Sequence, residues 1–427
     1  MKATYFVNAM VMLESRHSRV LCDPWITFDE TSDSGFFNFP ATKLTRAAVA
    51  ALKPDYLYIT HTHPDHFDPT TLRLFDPATP VLIARYDLDF TRRSLAAVGF
   101  DDIRPAPRGE WLPLNGQDAC WIEPSAANPE VDSVALFRLD GKVSVNANDN
   151  VFNRAQCERL RAAAGDVEVG FLPSGLHGPW PMFYDNLSPR EKAQAAAERE
   201  ARLKETFANY VEAFRPRFVV PYGGGLMCGG RKALNYRYSG IPARGDAVRH
   251  AQARCAFEPI LLSCGNSFDF DSGQRRGSYV EHSLDSEAAY VARLAAKPSK
   301  FDPGGAFHVA AGERIDLSRL LGLARANMRK WQQRYGGAAA AATSCFFLDV
   351  GEARLYRLSL AEDGVARVAE GDIADPRYEI FRMPYELLLG LLTRHYVWSN
   401  VKTQQVDYYR KGEFDPSLLL LMNYLQI

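Results

Sequence analysis

The sequence predicts an α/β layered domain over residues 1–297 and a smaller α+β unit over residues 312–427. Three observations carry this reading. Short apolar, strand-like runs come first and then alternate with helical spacing, as in a layered α/β domain. One strand runs straight into a cluster of metal-binding side chains, Thr60-His61-Thr62-His63-Pro64-Asp65-His66. Pro298 to Gly312 contains Pro, Gly, Ser and Lys and reads as a linker.

Taken in order, Ala3 to Leu13 and Ser18 to Leu21 read as two strands around a Glu14–His17 turn. Tyr56 to Thr60 and Pro80 to Arg85 are apolar runs of strand length, and Leu88 to Val98 has helical spacing. Ala119 to Ile122, Ser133 to Leu139, Val143 to Asn146 and Val167 to Leu172 are further strands, with Asp140-Gly141 as a hairpin turn. Ser188-Pro189-Arg190-Glu191 opens the clearest helix. Ser188 caps it, Pro189 fits the first turn and Glu191 closes a capping box. That helix should reach about Phe214 and stop before Pro216, and Arg217 to Val220 is then a strand entering a glycine-rich loop. In the second unit Leu317 to Arg334 is helical and Gly336 to Ala342 is an Ala/Gly stretch. Cys345 to Asp349 and Ala353 to Leu360 are strands, and helical runs follow to the end.

Composition removes several functions. Fifty basic residues against 51 acidic ones give a net charge of −1, so the electrostatic footprint of a nucleic-acid binder is missing. The seven cysteines form no CxxC pair, which argues against a disulfide framework or a structural zinc site and for a reducing cytoplasm. Met1 to Tyr5 leads directly into strand-like sequence, without the pattern of a secretory leader. No apolar run approaches the ~20 residues that span a bilayer. The expected partner is a small molecule, with neither nucleic acid nor membrane.

The histidine cluster carries the chemistry. Three of the chain's nine histidines fall within six positions at a strand end. A tight loop there lets His61 and His63 face one metal while Asp65 and His66 turn toward a second. Imidazole with carboxylate suits Zn or Fe rather than Ca or Mg. Gly225 and Gly230 have P-loop spacing, but Arg231 and Lys232 follow where Lys and Ser/Thr are needed. That glycine loop reads instead as a rim of the metal cleft, with Arg231 and Tyr222 placed to hold an anionic substrate group. Phe37, in Phe36-Phe37-Asn38-Phe39, reads as part of an aromatic lid.

His61-x-His63-x-Asp65-His66 resembles the signature of the metallo-β-lactamase superfamily, which implies an αββα sandwich with one or two metals at a sheet edge. The resemblance implies a bridging acid at a strand end, and Asp149 in Asn148-Asp149-Asn150 matches it. It also implies a middle histidine, but residues 67–148 contain none. Glu123, in Trp121-Ile122-Glu123-Pro124, fills that slot. A last histidine should follow the strand after the long helix, which ends Val220-Pro221-Tyr222-Gly223 without one. His177 is the candidate in its place.

A narrower group shares more segments. Cys22-Asp23-Pro24-Trp25-Ile26-Thr27, Gly35-Phe36-Phe37-Asn38, Leu52-Lys53-Pro54-Asp55-Tyr56 and Glu130-Val131-Asp132-Ser133 resemble CMP-N-acetylneuraminate hydroxylases. Those proteins also carry a Rieske iron–sulfur domain, which needs C-x-H and C-x-x-H pairs. No cysteine here has histidine at either spacing, so no Rieske cluster is expected. Glu123 in the middle slot resembles di-iron β-hydroxylases of antibiotic biosynthesis on the same fold. The leading expectation is a two-metal oxidoreductase, with iron ahead of zinc, fed by a separate reductase. His61, His63 and Glu123 would hold one ion, Asp65, His66 and His177 the other, and Asp149 would bridge. A second expectation is a hydrolase in which Asp65 orients or deprotonates a metal-bound water. A third is a metal-poor binding protein with a decayed site.

Overall fold

The computed structural model describes residues 1–427 except 33, 128, 298–308, 336–344, 362–363, 399–404 and 414–415. Most of the expected linker and all of the Ala/Gly stretch at 336–342 therefore lie outside the described residues. No helix among the described residues is long and apolar enough to cross a membrane.

Two sheets face each other. The first has eight strands and is built around Lys2–Val7, Met10–Glu14, Arg19–Cys22, Tyr56–Tyr58 and Val81–Ile83. The second has seven, with Phe218–Tyr222, Val169–Pro173, Lys142–Asn146, Ser133–Leu139 and Ala119–Pro124 in that lateral order. Alternation along each strand sorts the side chains. Val11, Val20 and Tyr58 meet Ile122, Phe137, Phe171 and Val220 in the core between the sheets. Met12, Leu21 and Leu57 point the other way, onto helices that contribute Val49, Leu72 and Leu95. Val134, Leu136 and Val219 face helices Arg154–Ala164, Pro189–Phe214 and Arg244–Gln252. The layers are thus helix, sheet, sheet, helix.

Local signals act as expected. Asp140 and Gly141 both have positive φ, at 51° and 76°, which matches the twist of the hairpin they join. Ser188 and Glu191 form the reciprocal capping box, and the helix ends at Arg215 in the left-handed region just before Pro216.

Two expectations are corrected. The run Ala3–Leu13 is not one strand. Asn8 takes φ 51°, and the chain turns back as a hairpin of Lys2–Val7 and Met10–Glu14. An almost wholly apolar run gives no periodic sign of such a turn, but Asn tolerates the left-handed conformation. Beyond residue 360 the chain is not mainly helical. Val365–Val368, Tyr378–Arg382 and Asp407–Lys411 join Cys345–Asp349 and Leu355–Ser359 in a five-stranded sheet. Asp407–Lys411 is charged and two-sided because it is an edge strand, which hides its strand character. Helix Ser318–Tyr335 contributes Leu321, Ala324 and Met328 to a core shared with Phe36, Trp180, Phe183 and Tyr184 of the preceding sequence.

The parallel pairings position the site. Arg19–Cys22 pairs with Tyr56–Tyr58, and Lys142–Asn146, Val169–Pro173 and Phe218–Tyr222 run parallel in register. The C-terminal ends of these strands release Asp23, Thr60–His66, Asn148–Asp149, His177 and Gly223–Gly225. Side-chain contacts across the two sheets bring these segments to one rim.

Candidate metal centre

Thr60 fixes the start of the histidine loop. Its carbonyl accepts from the Tyr86 hydroxyl at 2.6 Å and the Ser133 hydroxyl at 2.8 Å. Its backbone N–H and its hydroxyl both donate to the Asp23 carboxylate at 2.8 Å. With its one hydroxyl hydrogen so used, Thr60 Oγ1 accepts from His61 Nδ1 at 2.8 Å. This assigns the proton of His61 to Nδ1 and turns the lone pair of Nε2 inward. Asp23 does the same for His66, whose Nδ1 lies 2.8 Å from Asp23 Oδ2. A carboxylate behind an imidazole is the usual device for orienting a metal-ligating histidine.

The inward atoms converge. His61, His63 and Asp132 offer ligand atoms within 4.8 Å of one another, and so do His61, His66 and Asp149. His61 Nε2 is 3.5 Å from Asp132 Oδ1. His66 Nε2 is 3.3 Å from Asp65 Oδ2 and 3.4 Å from Asp149 Oδ2. Asp65 is steadied by Asn8, whose side-chain N–H donates to Asp65 Oδ2 at 3.0 Å while its Oδ1 accepts from Gly225 N–H at 3.1 Å.

The donor set has the chemistry of a transition-metal site. Asp23, Asp65 and Asp132 are buried and Asp149 is partly so, and buried carboxylates require positive charge nearby. Burial would lower the His66 pKa, but Asp65, Asp149 and Asp23 raise it well above its ordinary value. A divalent cation among these acids would supply the positive charge that their burial calls for. These residues fit metal binding on those grounds.

Arg231 apart, the sequence-nominated residues fall into three groups. His61, His63, Asp65, His66 and Asp149 are brought together. His177 is half-buried near them with both ring nitrogens shut off from solvent, stacked on Tyr236 at 5.9 Å, and desolvation pushes its pKa down to about 4, which favours a neutral ring. Asp65 and Asp149 are near enough to act on its charge, but it lies outside both three-residue groups. Glu123, Phe37 and Tyr222 are not in the centre. Glu123 pairs with Val134 across the strands, on the helix-covered face, and its carboxylate meets Arg159 at 3.3 Å. The pleat therefore turns it away from the centre, and Asp132 stands with His61 and His63 instead. Phe37 is buried beside Phe39, Met227 and Leu294 and forms core rather than a lid. Tyr222 is fully buried beneath the rim, where its hydroxyl donates to Asn146 Oδ1 and accepts from the N–H of Asn148. It supports the Asp149 turn rather than contacting substrate. Arg231 begins the turn after Gly230, and its side chain lies outside the described residues.

Four residues of the centre escaped sequence reasoning: Asp132, Asp23, Thr60 and Asn8. Asp132 and Asp23 lay in segments of the narrower resemblance, which was the available signal. Asn8 gave none.

Two facing sheets, helices on both outer sides and a His/Asp cluster on the rim between them together define the architecture. The chain has the metallo-β-lactamase fold. No protein-family model matches it. It is 28% identical over 234 residues to a Mycolicibacterium smegmatis protein named as a Rieske 2Fe-2S iron–sulfur protein, covering 52% of this chain and 43% of that one. It is 23% identical over 232 residues to the cytidine monophosphate-N-acetylneuraminic acid hydroxylase of Mus musculus, covering 52% of this chain and 38% of that one. The chain thus spans less than half the length of these curated relatives. Among solved structures, CmlA, a diiron β-hydroxylase from Streptomyces venezuelae, aligns at TM-score 0.40 and 18% identity over 62% of this chain and 53% of that one. An isothiocyanate hydrolase from Delia radicum gut bacteria aligns at TM-score 0.46 and 14% identity over 63% and 99%.

Two expected results follow for this metallo-β-lactamase-fold centre. Glu123→Ala should leave metal content unchanged, because Glu123 faces Arg159; metal analysis of the purified variant checks it. Gly225→Ala should lower both metal content and melting temperature. A Cβ there would lie 2.7 Å from the backbone nitrogen of Asn8 and 2.9 Å from its Cα, and backbone yields little. Displacing Asn8 removes the hydrogen bond that steadies Asp65.

Proposed function

We propose that the protein is a di-iron oxygenase acting on a small polar or anionic metabolite. The observation that carries this reading is the presence of Asp132, an anionic oxygen donor, beside His61 and His63. With Asp65 and Asp149 it makes the donor set rich in carboxylate, which suits iron in its higher oxidation states better than zinc. The partial similarity to a protein named as a hydroxylase supports the same class.

His61, His63 and Asp132 would hold one ion and Asp65 and His66 the other, with Asp149 between them and His177 close by. When bound, the irons would supply the activation of dioxygen. The protein's own residues do the rest. Thr60 and Asp23 hold the imidazoles in one tautomer, Asn8 holds Asp65, and Tyr222 holds the turn that presents Asp149. Inserting one oxygen atom into a substrate C–H bond and releasing the other as water consumes two electrons and two protons. A separate reductase would supply those electrons.

One observation favours a second reading, metal-dependent hydrolysis. Asp65 is held by Asn8 at the rim, where in a hydrolase it would orient or deprotonate a metal-bound water. Oxygen uptake separates the two. The iron-loaded protein with a chemical reductant should consume oxygen, and the His63→Ala variant should not. A protein that hydrolyses model esters and consumes no oxygen supports the second reading and overturns the first.

A further inference from the structure

The glycine loop that steadies Asn8 also walls a cavity of about 300 Å³. Phe39, Tyr236, Ile241 and Leu284 give it an apolar body, and Arg244 stands in its wall. The Arg244 guanidinium lies over the Tyr5 ring, 4.8 Å from its centroid. It donates to the carbonyls of Leu262 at 3.3 Å and Gly223 at 3.4 Å and to the Tyr5 hydroxyl. All three acceptors are neutral, and they use three of the five N–H groups a guanidinium carries. The acid in the same wall, Glu281, accepts from the backbone N–H of Gly245 at 3.2 Å. His282 is likewise engaged, with Glu287 at 2.9 Å. Glu281 and Tyr279 lie near enough to act on the charge of Arg244, but its hydrogen bonds go to neutral oxygens, and a guanidinium with donors to spare is suited to a planar anion.

We propose that this cavity binds a small organic carboxylate, with its apolar body against Phe39, Tyr236 and Leu284 and its carboxylate on Arg244. The volume lies at the small end of the range for ligand pockets, which restricts the ligand to about the size of a substituted aromatic acid. The cavity also shares residues with the metal centre's surroundings. Tyr236 stacks on His177, and Gly225 holds Asn8, which holds Asp65. The site stands on its own geometry. That its ligand is the substrate of the metal centre rests on the oxygenase reading.

Calorimetric titration of the full chain with phenylacetate, and with 2-phenylethanol as the neutral counterpart, tests the proposal. Phenylacetate should bind saturably and at least about tenfold more tightly than 2-phenylethanol, since a charge-assisted pair is lost in the alcohol. Arg244→Gln should weaken phenylacetate by about the same factor while leaving 2-phenylethanol unchanged. Leu284→Trp, which places a larger ring in the apolar body of the cavity, should abolish both, and it decides the matter if Arg244→Gln does not fold. His63→Ala should bind phenylacetate like the parent chain, with or without metal. Absence of saturable binding, or binding lost in His63→Ala and kept in Arg244→Gln and Leu284→Trp, overturns the proposal. Binding as expected in a chain that holds no iron upholds the site and removes only its link to oxygenase chemistry.

Discussion

Asp132→Ala is expected to lower affinity for the metal held by His61 and His63 by more than about 100-fold. Loss of a partner that merely orients a ligand costs roughly 10–100-fold, and a direct ligand should cost more. Asp132 lies with His61 and His63 in one group, and its Oδ1 is 3.5 Å from His61 Nε2. The change should spare the fold, because the Ser133 hydroxyl next to it keeps its bonds to Thr60 and Tyr58. Chelator competition followed by metal analysis gives the affinity, with Glu123→Ala as the control expected to match the parent. If Asp132→Ala retained parental metal content and Glu123→Ala lost it, the assignment of the two acids would be reversed.

Asp23→Ala should act on stability as well as on metal binding. Asp23 is 1% exposed, and its carboxylate accepts from Thr60 N–H, Thr60 Oγ1 and His66 Nδ1. Removing it strands three buried donors and breaks a buried carboxylate–histidine pair. Such losses cost about 3–5 kcal/mol. Metal affinity should fall roughly 10–100-fold because His66 loses its orienting partner. Asp23→Asn should recover part of the stability, since the amide oxygen can still accept from Thr60, but less of the metal affinity. Thermal unfolding with and without added metal separates the two effects. A melting temperature within a degree or two of the parent's would show that Asp23 is not the brace described.

These two residues also show what the sequence could convey. His61, His63, Asp65 and His66 were legible because one loop carries them in a spacing with a chemical reason. Asp149 was legible through the resemblance, which implies a bridging acid at a strand end. Asp132 was harder because it precedes its strand instead of ending one. Ser133–Leu139 runs antiparallel to Ala119–Pro124, with Ser133 opposite Pro124, so the start of one strand and the end of the other share the rim. Glu123 reaches that rim by position, but the pleat turns it to the helix side. A strand's face cannot be read from a terminal residue alone. Asn8 was hidden for a different reason: its hairpin lies inside an apolar run whose two arms are both buried.

The layered domain was legible in outline for the same reasons. Ser188 and Asp140-Gly141 are strong local signals, and the structure uses both. Three of the five strands of the C-terminal sheet were missed because strands such as Asp407–Lys411 are short and charged and show little alternation.

The most direct test of the central claim is the identity and number of metal ions in the purified full chain after production with iron and zinc both supplied. About two irons per chain are expected, falling to one or fewer in Asp132→Ala, as a two-ion site with a carboxylate-rich donor set requires. A chain that takes up zinc in preference to iron, or whose iron content is the same in Asp132→Ala, would contradict that claim.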